Sequence, residues 1–120
     1  MEPLEDRLAA IEGFDLQRAR AVARGDEAVL RRLLQRFVDT YRDGLSGNTP
    51  DLPGAHWQAI AHTLHDACGT VGAVRLAQAA HALQIEAESA SCADTLAPRM
   101  RALHDDLVNL VRHLSRELDA

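Results

Sequence analysis

An all-α fold, an antiparallel four-helix bundle with one or two short additional N-terminal helices, is predicted for this 120-residue chain by three observations. Apolar residues make up 47% of the sequence but aromatics only 3%. The core must therefore be assembled from Leu, Ala, Val and Ile, the composition of packed helices, and a β-sandwich lacks the β-branched and aromatic residues its strands need. Apolar residues also recur at three- and four-residue spacing over several long windows, which gathers them on one helix face. Finally, turn-forming residues are concentrated in one loop, Ser46-Gly47-Asn48-Thr49-Pro50-Asp51-Leu52-Pro53-Gly54, too short to divide two domains. A chain of this size buries a core without staples, so residues 1–120 are expected to form a single domain.

Taken in order, a short first helix is predicted from Leu4 to Ile11, ended by Glu12-Gly13. Asp15 caps a second over Leu16–Arg24; Gly25 stops it, and Asp26 is the next N-cap. From Glu27 the residues Val29, Leu30, Leu33, Leu34, Phe37, Val38 and Tyr41 share one face of a long helix that ends near Gly44. Helix resumes near Ala55 and runs to about Gly69, and another spans roughly Ala73 to Ser89. The last starts between Asp94 and Pro98 and continues to Leu118. Its Leu96, Met100, Leu103, Leu107, Leu110, Val111, Leu114 and Leu118 form a seam close to heptad spacing, as in a bundle member.

Charge and composition narrow the function. A formal net charge of −5, with every basic side chain an arginine and no basic tract, argues against nucleic acid or an anionic membrane as partner. The acidic start Met1-Glu2-Pro3-Leu4-Glu5-Asp6 has no apolar run behind it to serve as an export signal, and no run is long enough to span a membrane. Cys68 and Cys92 are too few for a disulfide framework and lack metal-ligand spacing, which suits small apolar residues in a reducing compartment. A cytoplasmic domain is the expectation.

On the helix from Ala55, the residues Trp57, Ile60, Leu64, Ala67, Cys68 and Val71 fall on one side. At about 100° per residue His62 projects roughly opposite that stripe. Gln58, His65, Asp66 and Gly69 are expected on the same outward face, within two turns of it. A neutral imidazole keeps a ring lone pair at cytoplasmic pH, since its unperturbed pKa is about 6.5. Held in the open, it is a nucleophile that can reach phosphorus.

The stretch from Ala61 to Gln84, AHTLHDACGTVGAVRLAQAAHALQ, resembles the signature of histidine-containing phosphotransfer (HPt) domains. In that signature a His-x-Leu triplet leads into a Lys-Gly pair, small residues, a Gly-Ala step and a second helix ending near Leu-Glu. His62-Thr63-Leu64, Gly72-Ala73 and Leu83 match, whereas the Lys-Gly pair is His65-Asp66 and the closing Glu is Gln84. Gly13-Phe14-Asp15 and Gly25-Asp26 ahead of Leu33-Leu34 and Phe37 are also similar to the region before the active-site helix of many such domains.

The resemblance implies that His62 is the phosphoacceptor, with His65 and Asp66 beside it and Gln58, His62, His65, Asp66 and Gly69 forming the partner face. It implies response-regulator receiver domains as partners, in a multistep phosphorelay, with the aspartate and the Mg²⁺ supplied by the receiver and no cofactor of the domain's own. A monomer is expected, in the position of the C-terminal module of a hybrid sensor histidine kinase. At the lysine position, His65 carries full charge only below its pKa, and Asp66 sets a carboxylate one turn past His62, where it either repels the phosphoryl group or orients the imidazole.

Three other readings compete. The first is a pseudo-phosphotransfer module that binds a receiver or kinase without carrying phosphate. The second is a metal site, because His62, His65 and Asp66 stand at i, i+3 and i+4 and His81 or His104 could be packed beside them; no Glu-x-x-His pair of a bundle di-metal centre is present. The third is a purely structural bundle. An independent hydrolase has no phosphate loop, serine elbow or paired carboxylates to use. His56 at the helix start, His81 and His104 on polar helix flanks, and His113 near the last helix's C-terminus, where a cation suits the dipole, are expected to be solvated residues.

Overall fold

The computed structural model describes residues 3–45, 52–89 and 93–119, with the side chains of 93–95 left out of the description. Its elements are α1 (Leu4–Ala9), α2 (Leu16–Val22), α3 (Glu27–Thr40), α4 (Gly54–Val71), α5 (Val74–Ser89) and α6 (Ala93–Asp119). Among the described residues there is no strand. Most of the loop predicted at 46–54, and Cys92, lie outside the described residues.

Boundaries shift from the sequence expectation where backbone chemistry intervenes. The first helix stops at Ala9 rather than Ile11, and Ile11 turns inward as a core residue. The second stops at Val22, because Arg24 (φ 54°) and Gly25 (φ 75°) both enter the left-handed region. Asp15 accepts from the Arg18 amide, and Asp26 from the amides of Ala28 and Val29, which satisfies free N–H groups at the starts of α2 and α3. α3 ends at Thr40, short of Gly44, and the chain turns through Tyr41. α4 runs two residues past its expected end, to Val71, and closes on Gly72 at φ 88°. α6 begins at Ala93 and contains Pro98, which has no N–H to offer the carbonyl four residues before it.

α3, α4, α5 and α6 pack in a ring, each against its two neighbours, in a molecule of 49 × 22 × 20 Å. α1 packs on α6, and α2 bridges α3 and α4 at one end. The expected helical bundle with short N-terminal helices is what the chain forms. Its axis is filled by Leu30, Leu34, Trp57, Leu64, Leu83, Leu103, Leu107 and Leu114, all essentially without solvent exposure. At roughly 1.5–3 kcal/mol for each buried large apolar side chain, this layer is the main stabilising term. No charged or polar side chain is buried among the described residues. No described helix is long and apolar enough to cross a membrane.

Hydrogen bonds at both ends of the bundle tie its segments together. Asp15 N–H donates to the Gly72 carbonyl at 2.6 Å, and Arg75 N–H donates to the Gly13 carbonyl at 3.3 Å, so the α1–α2 turn is tied to the α4–α5 turn. At the far end of the bundle, Leu45 N–H donates to His104 Nδ1 at 2.9 Å. His104 is thus a half-buried acceptor holding the end of the α3 segment, not the solvated flank residue its helix position suggests.

Candidate functional site

α4 supplies the site. Trp57, Ala61, Leu64, Cys68 and Val71 face inward along it, and that inward row forces His62 outward. The His62 side chain is 60% exposed, and one turn on stands Asp66, whose Oδ2 is 3.4 Å from His62 Nε2. The Asp66 side chain is itself 65% exposed. Thr70 hydroxyl donates to the Asp66 carbonyl at 2.9 Å, and Gly69 leaves open space where a side chain would stand, so the helix surface beyond His62 is low.

The five residues expected on one open face divide into two groups. His62, Asp66 and the Gly69 surface do share the exposed side. His65 does not: it is half-buried and turned onto α5, where its Nδ1–H donates to the Ala77 carbonyl at 2.9 Å. A carbonyl can only accept, so this contact places the proton on Nδ1. The His65 ring also lies 5.3 Å, centroid to centroid, from that of His81. Gln58 likewise leans onto α5 and donates from Nε2 to the Ala87 carbonyl at 3.5 Å. The cause is the left-handed step at Gly72, which folds α5 back along the His65 side of α4 and gives these two polar side chains carbonyls to bind.

On the other flank of α4 a groove of about 340 Å³ runs between α3 and α4. Leu33, Phe37, Tyr41, Thr63, Ala67 and Val71 line it, with Arg36 at its edge. Phe37 and Tyr41 meet at 5.2 Å between ring centroids, and burial raises the Tyr41 hydroxyl pKa, with Cys68 adding to the effect. Cys68 lies inside the bundle, where burial pushes its thiol up to about 12. Such a thiol is a packing residue without nucleophilic character. The groove is absent from the sequence reading because its two walls lie on helices separated by the loop, and only their packing creates it.

On the exposed face of α4 the carboxylate beside His62 is that of Asp66. α4 contains no arginine, and the nearest fixed cation lining the groove, Arg36, comes from α3. As for a metal, packing brings His81 to His65 but leaves His104 bonded to Leu45. Among the described residues no group of three or more His, Cys, Asp or Glu side chains is arranged to hold an ion. His113 faces a separate cavity of about 500 Å³ near the α1–α2 turn, bordered by Arg75 and Asp106. His56 is exposed at the start of α4, edge-on to Trp57.

An exposed imidazole on a rigid helix, beside an apolar groove and with one carboxylate at its tip, is equipped for nucleophilic transfer to a partner that docks over it. The family model described as Hpt domain matches residues 4–117, essentially the whole chain. No curated protein and no solved structure matches it significantly.

Proposed function

The chain belongs to the Hpt domain family, whose members transfer phosphoryl groups through histidine in two-component systems, and we propose that here His62 is the carrier residue. It takes a phosphoryl group from a receiver-domain aspartate and passes it to another. The observation that carries this reading is the placement of His62: it is the exposed histidine at the centre of α4's outward face, on a helix whose inner row is fully buried.

In the forward step the Nε2 lone pair attacks phosphorus, the N–P bond forms, and the P–O bond to the receiver aspartate breaks. The aspartate leaves with the electron pair. The proton on Nδ1 stays where it is, so attack through Nε2 needs the tautomer in which Nδ1 carries the hydrogen. Such a transfer state is loose and asks mainly for alignment and charge stabilisation. The receiver, with its Mg²⁺, supplies most of the latter, and this domain needs no cofactor of its own. Its contribution is a nucleophile on a rigid scaffold and a docking surface. The α3–α4 groove beside Thr63 and Ala67 offers the apolar part of that surface, and Arg36 a charged rim. Such an encounter is small and transient.

The same reading makes the domain a cytoplasmic monomer and the C-terminal module of a hybrid sensor kinase, whose short leading helices pack onto the bundle as α1 and α2 do here. Its test is transfer of label from a panel of phosphorylated receiver domains to the parent protein and to His62→Gln. Acid-labile, base-stable label on the parent and none on the variant is the expected outcome. Binding of a receiver without any label would instead assign a pseudo-phosphotransfer module.

A further inference from the structure

We infer that Asp66 lowers the equilibrium loading of His62, so that the domain gives up its phosphoryl group more readily than it would with a neutral residue at that position. The inference rests on the carrier reading and assigns a regulatory role within that site. Asp66 Oδ2 lies 3.4 Å from His62 Nε2, the ring atom at the outer tip of the imidazole and the one that would bear the phosphoryl group. A carboxylate there acts on both sides of the equilibrium. Before transfer it accepts from Nε2 in the tautomer that carries the hydrogen there, which leaves Nε2 without a lone pair for phosphorus. After transfer the proton's place is taken by a phosphoryl group of about −1.5 to −2 charge, which the carboxylate repels.

α4 itself supplies no cation to offset this effect, and Arg36 of α3 lines the neighbouring groove. α4 carries no arginine, His65 is turned away to the Ala77 carbonyl and the His81 ring, and Thr70 binds the Asp66 backbone carbonyl rather than its carboxylate. Both partners are well exposed, so water and salt screen the interaction, and the expected effect is modest: on the order of three- to tenfold in the equilibrium constant. Asp66 acts here through its charge, lowering the share of His62 that is loaded at equilibrium.

The test compares the parent with Asp66→Asn, which keeps size and removes charge. Each is mixed with the phosphorylated receivers of the same panel, and the ratio of phosphohistidine to phosphoaspartate is followed to equilibrium at low salt and at about 0.5 M salt. Asp66→Asn is expected to shift the ratio toward phosphohistidine by about three- to tenfold at low salt, with the shift shrinking at high salt as the screening length falls. A residue that only shapes docking would change the forward and reverse rates together and leave the ratio between free species untouched. An unchanged ratio with label present therefore overturns the inference while the carrier reading stands, and so does a shift that salt leaves unaffected. Absence of label on parent and variant alike overturns the carrier reading and this inference with it.

Discussion

Gly72 and Asp15 interlock: Asp15 N–H donates to the Gly72 carbonyl at 2.6 Å, and a Cβ at Gly72 would stand only 2.3 Å from the Asp15 carbonyl oxygen. Gly72 is also at φ 88°, a conformation that L side chains rarely adopt. The Gly-Ala step therefore ends α4, starts the return of α5 and seats the N-terminus of α2 in one place. Gly72→Ala is expected to destabilise the domain by at least about 2 kcal/mol, through left-handed strain and the clash together. Urea unfolding followed by circular dichroism measures it, and a loss below about 0.5 kcal/mol would show that the turn yields easily.

His62→Gln is expected to leave stability within about 0.5 kcal/mol of the parent, because an exposed residue on a helix packed by its other face contributes little. Its phosphorylation should fall to background. Thermal unfolding of the two proteins separates the outcomes, since a variant that melts well below the parent would mean that His62 has a structural role.

A charge placed in the α3–α4 groove should separate docking from chemistry. Ala67→Glu sets a carboxylate among Leu33, Phe37, Tyr41 and Val71. Transfer from a receiver domain is expected to slow by about tenfold or more, the scale on which losing an apolar interface anchor acts. Direct labelling of His62 by a small phosphoramidate should be unchanged. Equal losses in both assays would place the damage in the fold, and no loss in either would remove the groove from the docking surface.

Cys68 predicts a pH dependence. Its thiol titrates near 12 in the folded chain, pushed up by burial from an ordinary value of 9.0. Between those values the unfolded chain has released its proton and the folded chain still holds one. The thiol should therefore leave stability unaffected below about pH 9 and lower it above, by up to roughly 1.4 kcal/mol per pH unit. Cys68→Ala should flatten that slope, although the alanine also leaves a small void. Urea unfolding between pH 8 and 11 checks it, and parallel curves for parent and variant would show that another group governs the alkaline limb. With Cys92 replaced by Ser, the native protein should also resist alkylation at pH 8 and react once unfolded.

Much of this molecule is decided locally and can be read along the chain. The three-and-four spacing from Val29 to Tyr41, the heptad seam from Leu96 to Leu118, and the capping residues Asp15 and Asp26 each specify an element through contacts within a few residues. The inward row from Trp57 to Val71 leaves His62 outward by helix geometry alone, so the candidate nucleophile and the family were both legible before any packing was known. Asp66 stands beside His62 as its helical position dictates, but the rest of that neighbourhood was not legible. His65 and Gln58 belong to the outward arc by their helical angle, yet their side chains bend onto α5 because the carbonyls of Ala77 and Ala87 come within reach only when α5 folds back. His104 accepts the Leu45 amide, and the groove beside Thr63 and Ala67 exists, only because helices distant in sequence are brought together. A helix's periodicity fixes which way a residue starts out from its own axis. Where a long polar side chain comes to rest depends on hydrogen-bond partners that another element brings, and that was settled by tertiary packing.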